Sequence, residues 1–188
     1  MSIIMIGGVG ILLFIFFFIA VRNGLIGKKN DAENAFSSVD VQLKQRHDLI
    51  PNLVATVKEA MSHERGTLEK LVELRGQAMK PNLPANESVG IENQITRHLS
   101  GILVAVESYP QLKANENVLS LQRSLNEVEA QIAAARRTFN ASVTEYNNGI
   151  EMFPSSIVAS MMGYRRRDLF LAAESERVNS NVGNLFKH

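Results

Sequence analysis

Ionisable side chains gather just before a proline in the middle of a long stretch with helical periodicity. Asp40, Arg46, His47 and Asp48 precede Pro51 within a dozen residues. Carboxylates, a guanidinium and an imidazole at such spacing can titrate together and move protons. A structural interpretation competes with this one, because proline removes one backbone donor and polar groups can then bond the carbonyl it leaves free. We favour the structural interpretation.

The familiar catalytic and metal-binding motifs do not occur in this sequence. Glu59 and His63 share a helix face, but a zinc protease motif needs two histidines at that spacing with a glutamate between them. There is no glycine-rich phosphate loop with its lysine and no Gly-x-Ser-x-Gly elbow. Cysteine is absent, which excludes disulfides, thiolate nucleophiles and sulfur-ligated metals. We therefore predict no catalytic residue, no cofactor and no metal, and expect that the protein is not an enzyme.

The charge pattern argues against a nucleic-acid partner. The formal net charge is +1 over 188 residues, so no strong field attracts a polyanion. Arg136-Arg137 and Arg165-Arg166-Arg167 are short basic runs without the interleaved aromatic side chains on which bases stack.

The elements that position these groups begin with an uncharged apolar run over residues 3–21. As a helix, this run of about 19 residues would span roughly 28 Å, close to the thickness of the hydrocarbon core of a bilayer. A cleaved signal peptide is the alternative, but it would need a basic stretch before the run and an Ala-x-Ala-like site after it. We predict a retained transmembrane helix in contact with the lipid bilayer, with anchoring side chains that include Ile3, Leu12, Phe14, Phe17 and Val21.

Orientation follows from the basic residues that come directly after this run. Arg22, Lys28 and Lys29 follow it and no basic residue precedes it. The positive-inside rule then places residues 1–2 outside and everything after a juxtamembrane connection, residues 22–30, in the cytoplasm. We expect a single-pass protein of the inner membrane.

The rest of the chain has the periodicity of long helices. We predict a body over residues 31–154: a continuous helix from Asp31 to Lys80 that bends at Pro51, a second helix over 87–108, and a third over 115–153. In the third, apolar residues recur every seven positions, at Val118, Leu125, Ile132, Phe139, Tyr146 and Phe153. This row can be an ordinary bundle core or an intermolecular coiled-coil surface. The predicted fold class is all-α, a transmembrane helix followed by an antiparallel bundle of long helices.

An amphipathic piece over residues 155–174 follows, and a polar tail over 175–188 ends the chain. The apolar and basic residues of the amphipathic piece predict an assembly or membrane surface formed by Met161, Met162, Tyr164, Arg165, Arg166, Arg167 and Phe170. Anionic lipid would suit this composition. Counting helix lengths instead places the piece far from the membrane, in contact with neighbouring subunits, and we favour that position.

Several motifs along the chain occur in a recognisable combination. The first is the stretch 40–57, with Leu-Ile-Pro-Asn-Leu-Val over 49–54 at its centre. The later motifs are Tyr-Pro-Gln-Leu-Lys-Ala-Asn at 109–115, Ala-Arg-Arg-Thr-Phe-Asn at 135–140, Tyr-Asn at 146–147, Phe-Pro at 153–154 and Met-Gly-Tyr at 162–164. In this combination the chain resembles the LemA family of bacterial membrane-anchored helical proteins.

That resemblance implies architecture more readily than activity, since the family has no established catalytic activity. Relatives include proteins implicated in envelope integrity and in shaping magnetosome membranes. We therefore expect a membrane-anchored scaffold that forms homo-oligomers and organises or curves the membrane. The alternative is an adaptor or regulator of another membrane protein, such as a membrane-bound zinc metalloprotease.

Overall fold

A computed structural model describes residues 2–81, 83 and 85–170, with the side chains of 2–5, 7, 85 and 86 excepted. The predicted polar tail and residues 171–174 of the amphipathic piece lie outside the described residues. All regular structure in the described part is helical. The helices are α1 (Ser2–Val57), α2 (Arg65–Ala78), α3 (Ala85–Val106), α4 (Pro110–Lys113), α5 (Glu116–Glu151) and α6 (Ser155–Met161), with a 3-10 helix at Ser62–Glu64.

The chain divides into two compact units, and two helices contribute to both. Among the described residues, the first unit contains 2–44 and 130–169, and the second contains 45–129 and 170. α1 supplies its first part to the first unit and its last part to the second, and α5 does so in the opposite order. The antiparallel bundle of long helices is therefore built as two packed regions.

In the first unit, α1 changes from an exposed apolar helix to a packed one. Its side chains are exposed from residue 8 to 17, whereas Leu25, Ala32 and Val39 are buried. Gly24 and Gly27 lie between these parts and the helix continues through them, because an α-helix tolerates an isolated glycine at a cost of about 1 kcal/mol. The predicted connection over 22–30 is thus helical.

Contacts in this unit show that α5 runs antiparallel to α1. The rings of Phe36 and Phe139 lie 5.7 Å apart, centroid to centroid. Nearer the N-terminus, Lys28 Nζ lies 3.6 Å from Glu145 Oε2. A Cβ added at Gly149 would lie 3.3 Å from Leu25 Cδ2 and 3.0 Å from Lys28 Cδ, so glycine here allows the two helices to approach closely.

After α5, the chain turns at Phe153 and Pro154, whose peptide bond is cis, and forms the short helix α6. α6 ends in a Schellman motif: Tyr164 N donates to Ala159 O and Gly163 N to Ser160 O. Gly163 has a φ of 68°, the left-handed conformation that this cap requires and that glycine adopts most readily.

In the second unit, the predicted continuous helix from Asp31 to Lys80 is wrong. α1 ends at Val57, and α2 runs back along α1, because Arg75 Nε donates to the carbonyl of His47 at 2.6 Å. In one straight helix these residues would be about 42 Å apart. Met61, which is fully buried, fixes the reversal by joining the core between the two helices.

The remaining elements close this unit around one apolar core. α2 packs on α3, and Pro110 occupies the first turn of α4, where its missing N–H costs nothing. Asn115 caps α5: its side-chain oxygen accepts from the backbone N–H of Asn117 at 2.9 Å and of Val118 at 3.3 Å. The core includes Ile50, Leu53, Val57, Leu68, Leu71, Leu74, Ile95, Leu99, Ile102 and Leu125.

The seven-residue row of α5 is core within this chain. Val118, Leu125, Ile132, Phe139 and Tyr146 are all buried, which confirms the bundle-core interpretation over the intermolecular one. The last member, Phe153, departs from the pattern. It lies beyond the end of α5 and is 81% exposed.

Candidate functional site

A charged cluster is buried inside the second unit and links three helices. Arg46 of α1 is fully buried. Its guanidinium donates to the Glu92 carboxylate and to Thr96 Oγ1, 2.7 Å away, both on α3. It also donates to Glu129 Oε1 of α5 at 2.7 Å. A buried guanidinium is tolerated only when charged and polar partners replace water in this way.

His47 completes the cluster through the other oxygen of the same carboxylate. Its Nε2 lies 3.0 Å from Glu92 Oε1. Burial raises the pKa of Glu92, but the hydrogen bond from His47 and the charges of Arg46 and His47 outweigh burial and bring the pKa below its ordinary value. Glu92 therefore stays ionised, and its carboxylate accepts from the side chains of both Arg46 and His47.

Pro51 lies on the exposed side of α1, one turn beyond this cluster. Because proline has no N–H, the carbonyl of His47 lacks its usual helical donor, and Arg75 of α2 supplies one. A polar side chain thus bonds this carbonyl, as the structural interpretation expected, but it is Arg75 and not one of the four residues that precede the proline. Asp40 and Asp48, which the sequence grouped with Arg46 and His47, are both exposed.

This cluster can act as a structural lock, by which we mean that it holds three helices in one register. Arg46 and Glu92 are almost completely buried, and their donors and acceptors face one another across α1, α3 and α5. In the described part of the chain, His, Asp and Glu side chains nowhere gather in the groups of three that could hold a metal ion. The arrangement can fix the relative register of three helices, since the guanidinium of Arg46 on α1 donates to acceptors on both α3 and α5.

A second polar constellation, in the first unit, binds the segment after α6. The side-chain amide of Asn147 donates to the carbonyl of Arg167 at 2.9 Å and accepts from its N–H at 3.0 Å. Tyr146 Oη donates to the carbonyl of Arg165 at 3.1 Å. The guanidinium of Arg167 lies 5.4 Å from the centre of the Tyr146 ring, within cation–π range. Together these contacts form what we call the tail clamp.

Acidic side chains face two arginines of the basic run. Arg167 Nη2 lies 2.7 Å from Glu33 Oε1 of α1, and Arg166 Nη1 lies 3.1 Å from Glu151 Oε1 of α5. The hydrogen bond from Arg167 lowers the pKa of Glu33, against a smaller opposing effect of burial. Burial raises the pKa of Tyr146, with the nearby charge of Arg167 acting in the opposite direction. The side chain of Arg165 is exposed.

The predicted anchor residues lie on a helix that is long and apolar enough to cross a membrane. Leu12 and Phe14 are each 68% exposed and Phe17 is 45% exposed, so the described part of the chain leaves this surface uncovered. Val21 is half-buried, and the side chain of Ile3 is outside the described residues. Among the predicted orientation residues, Arg22 is exposed, Lys28 lies near Glu145 and Lys29 lies 3.8 Å from Glu33.

The expected distant position of the amphipathic piece is wrong. Val158 and Ala159 of α6 are buried in one cluster with Leu25 of α1, and Phe18 and Val21 pack on the same cluster. The estimate from helix lengths assumed one helix from Asp31 to Lys80. Instead, α1 ends at Val57 and α2 reverses along it, and the end of α5 lies beside the beginning of the packed part of α1. Of the predicted surface residues, Met161 is exposed, whereas Met162, Tyr164 and Phe170 are half-buried.

The sequence contained a signal for the buried cluster that motif searching overlooked. Glu92 continues the apolar row of α3 that includes Ile95 and Leu99, as Arg46 continues the row of α1. Charges of opposite sign on two core rows predict a buried pair, because neither could be buried alone. Glu129 and Thr96 lie beside such rows, and sequence spacing alone does not distinguish them from surface residues.

Comparison with known proteins agrees with the motifs noted in the sequence. The chain is 25% identical to Protein LemA of Metamycoplasma hominis, over 92% of this chain and 79% of that protein. It is 23% identical to Magnetosome protein MamQ of Magnetospirillum gryphiswaldense, over 79% of this chain and 64% of that protein, so it spans just under two thirds of MamQ. The LemA family profile matches residues 35–183, which include the buried cluster and the tail clamp. The chain therefore belongs to the LemA family.

Proposed function

We propose that this protein is a single-pass, membrane-anchored helical scaffold that associates with copies of itself on the cytoplasmic face of the bacterial inner membrane and organises or curves that membrane without catalysing a reaction. One observation carries the proposal most strongly. The exposed apolar segment is not a separate appendage but the start of α1, the same helix that is later buried in both units.

The exposed segment has the character of a lipid-facing helix. Its large side chains, such as Leu12, Phe14 and Phe16, are 68 to 74% exposed, and no charged residue interrupts residues 3–21. Burying such side chains in hydrocarbon contributes roughly 25 cal/mol per Å² of apolar surface. Arg22, Lys28 and Lys29 then favour a cytoplasmic body, because the orientation rule counts basic residues near the membrane even where acidic partners are present.

Self-association is supported by the apolar surface that the first unit leaves uncovered. Outside the anchor, Val41 of α1 is 61% exposed and Phe36 remains 48% exposed although it contacts Phe139. Large apolar side chains of this kind on a long helix are typical of helix–helix interfaces between molecules. The relatives named as magnetosome proteins support a role at a membrane rather than in solution.

Particle size after mild detergent extraction tests the proposal. The full chain, purified in detergent, should form a homomeric particle well above monomer mass by light scattering and give a repeating shape in electron micrographs. Val41→Glu should reduce the mass, whereas Val72→Glu, at an exposed apolar position 45% accessible on α2, serves as a matched control. A monomer, or a particle that contains a second membrane protein, would favour the adaptor function instead.

A further inference from the structure

Four large apolar side chains are exposed where α5 turns into α6. Met152 is 63% exposed, Phe153 81%, Ile157 56% and Met161 73%. Ile157 and Met161 are four residues apart and therefore share one face of α6. These four residues are called the turn patch here. Isolated exposed apolar residues are common on proteins, but four within ten residues form a surface that requires a partner.

The opposite face of α6 is already occupied. Val158 and Ala159 are buried against Leu25 of α1, with Phe18 and Val21 packed on the same cluster. α6 is thus apolar on two faces, and the described residues cover one of them. A helix with two apolar faces needs either a second protein layer or lipid on the other face.

The antiparallel register places the turn patch at the end of the anchor. Phe36 faces Phe139, Lys28 faces Glu145, and Leu25 faces Gly149. Continuing one residue for one residue, Phe153 falls level with Val21. Val21 is the last residue of the uncharged run, so this level is where the anchor would leave the hydrocarbon core.

We propose that the turn patch is a second membrane-contacting element, which inserts Phe153, Ile157 and Met161 into the boundary between headgroups and acyl chains beside the anchor. The partner is the bilayer itself, because Phe18 and Val21, which would contact lipid as part of the anchor, belong to the same packed cluster as α6. The proposal rests on the membrane anchoring proposed above. It makes the end of the α5–α6 hairpin, rather than α1 alone, the membrane-facing surface of the first unit.

The charges around the turn patch suit this position. Arg22 and Arg165 have exposed side chains, and Arg166 pairs with Glu151 at an exposed site. Arginines at the edge of an apolar patch can reach anionic headgroups while the apolar residues enter the acyl region. No acidic residue lies between Met152 and Tyr164 to oppose insertion.

Depth measurements on the full chain test this proposal, and the natural absence of cysteine makes them direct. Single variants Phe153→Cys, Ile157→Cys, Leu12→Cys and Val104→Cys carry a nitroxide label in vesicles of phosphatidylethanolamine and phosphatidylglycerol. The ratio of collisions with oxygen to collisions with a water-soluble nickel complex reports depth. Leu12 is the reference for the anchor, and Val104, which is 73% exposed on α3 of the second unit, is the matched exposed apolar position outside the proposed self-association surface. Circular dichroism confirms that each variant keeps its helix content.

We expect labels at Phe153 and Ile157 to show ratios several-fold above that at Val104 and to approach that at Leu12. If Leu12 reports lipid while both patch positions match Val104, the turn patch does not enter the membrane and this inference fails while the anchor stands. A label at Leu12 that reports water overturns the proposed anchoring, and this inference with it. Spin–spin broadening at Phe153 that disappears on dilution with unlabelled protein would show that a second copy covers the patch, which also overturns the inference.

Discussion

A guanidinium inside an apolar bundle is stable only while its partners remain in place. Arg46 has the carboxylates of Glu92 and Glu129 and the hydroxyl of Thr96 around it. Removing one member leaves the others desolvated without a counter-charge, and this loss exceeds the worth of the pair itself. The cluster thus makes the register of α1, α3 and α5 specific, because a shift of any helix by one residue would separate these groups.

The first prediction concerns this arginine. Arg46→Ala should lower the free energy of unfolding by about 3–5 kcal/mol, since it leaves Glu92 buried and unpaired. The double substitution Arg46→Met with Glu92→Leu should recover most of that loss, because it removes both charges and keeps volume. Denaturation of the full chain in detergent, followed by circular dichroism, measures both. Arg123→Ala, at an exposed position of α5, is the control and should change stability by about 0.5 kcal/mol or less. Equal effects at Arg46 and Arg123 would contradict the lock.

Acid should weaken the same cluster. The pKa of Glu92 in the folded protein is below its ordinary value of 4.5, so the folded state binds that proton less readily than the unfolded state does. The stability that Glu92 contributes is therefore complete above about pH 4.5 and is lost as pH falls through the lowered pKa. The free energy of unfolding, measured from about pH 7 to about pH 3, should decrease as the pH drops below about 4.5. Glu92→Gln should flatten the decline there, and an unchanged slope would show that other carboxylates dominate it.

At the scale of elements, one reversal decides the architecture of the second unit. The chain from Lys58 to Glu64 leaves α1, buries Met61 and begins α2, so that Arg75 reaches the His47 carbonyl next to Pro51. The donor that Pro51 lacks is thus replaced by the donor of Arg75. Pro51 leaves the carbonyl of His47 available for the neighbouring helix.

A double-mutant cycle tests this pairing. Arg75→Ala should cost about 1–3 kcal/mol, because the His47 carbonyl is left without a donor. In the Pro51→Ala background the same substitution should cost less, since the new N–H can bond that carbonyl within α1. Chemical denaturation of the four proteins gives the coupling energy. Additive effects would mean that Arg75 stabilises α2 for another reason.

The tail clamp gives an element-scale prediction of a different kind. Asn147→Ala removes both hydrogen bonds to the backbone of Arg167, each with a net contribution of about 1 kcal/mol, and should free the segment after α6. Cleavage by trypsin within Arg165–Arg167 should accelerate about tenfold or more, because proteolysis follows the population of the open segment. Asn148→Ala, one residue along and exposed, is the control. No difference between the two variants would show that the clamp does not hold the segment.

The sequence predicted the fold class, the long apolar N-terminal helix and the α5 core row, because each depends on local periodicity. It did not predict the reversal after Val57. That turn has no proline or glycine run, only Ser62 and Gly66 within a polar stretch, and it is fixed by Met61 entering a core built from distant residues. The position of α6 was missed for the same reason, since it depends on where the earlier helices turn. The sequence indicated only part of the buried cluster, because Arg46 lies on an apolar row of α1.

At the scale of the whole molecule, the proposed orientation has one clear test. A reporter that is active only outside the cytoplasm, fused to the C-terminus of the full chain, should give no signal, because Arg22, Lys28 and Lys29 keep the body inside. Substituting these three residues by glutamine and adding two lysines directly after Ser2 should reverse the signal. A strong signal from the unaltered chain would place the body outside and would rule out a cytoplasmic scaffold.

The second unit consists mainly of an inner stretch of the chain, and the first consists of two outer stretches. The two units can therefore fold at different times during biosynthesis. Residues 45–129 make up the described part of the second unit apart from residue 170, so this continuous stretch can pack as soon as its last helix has been made. The first unit must wait, because Phe36 meets Phe139 only after about 100 further residues have been added, roughly 5–20 s of translation. During that interval the ribosome has already delivered the apolar start of α1, while Ala32, Ala35 and Val39 have no cover. Prompt transfer of that start into lipid, or a chaperone at the ribosome exit, is therefore part of what this fold requires of the cell.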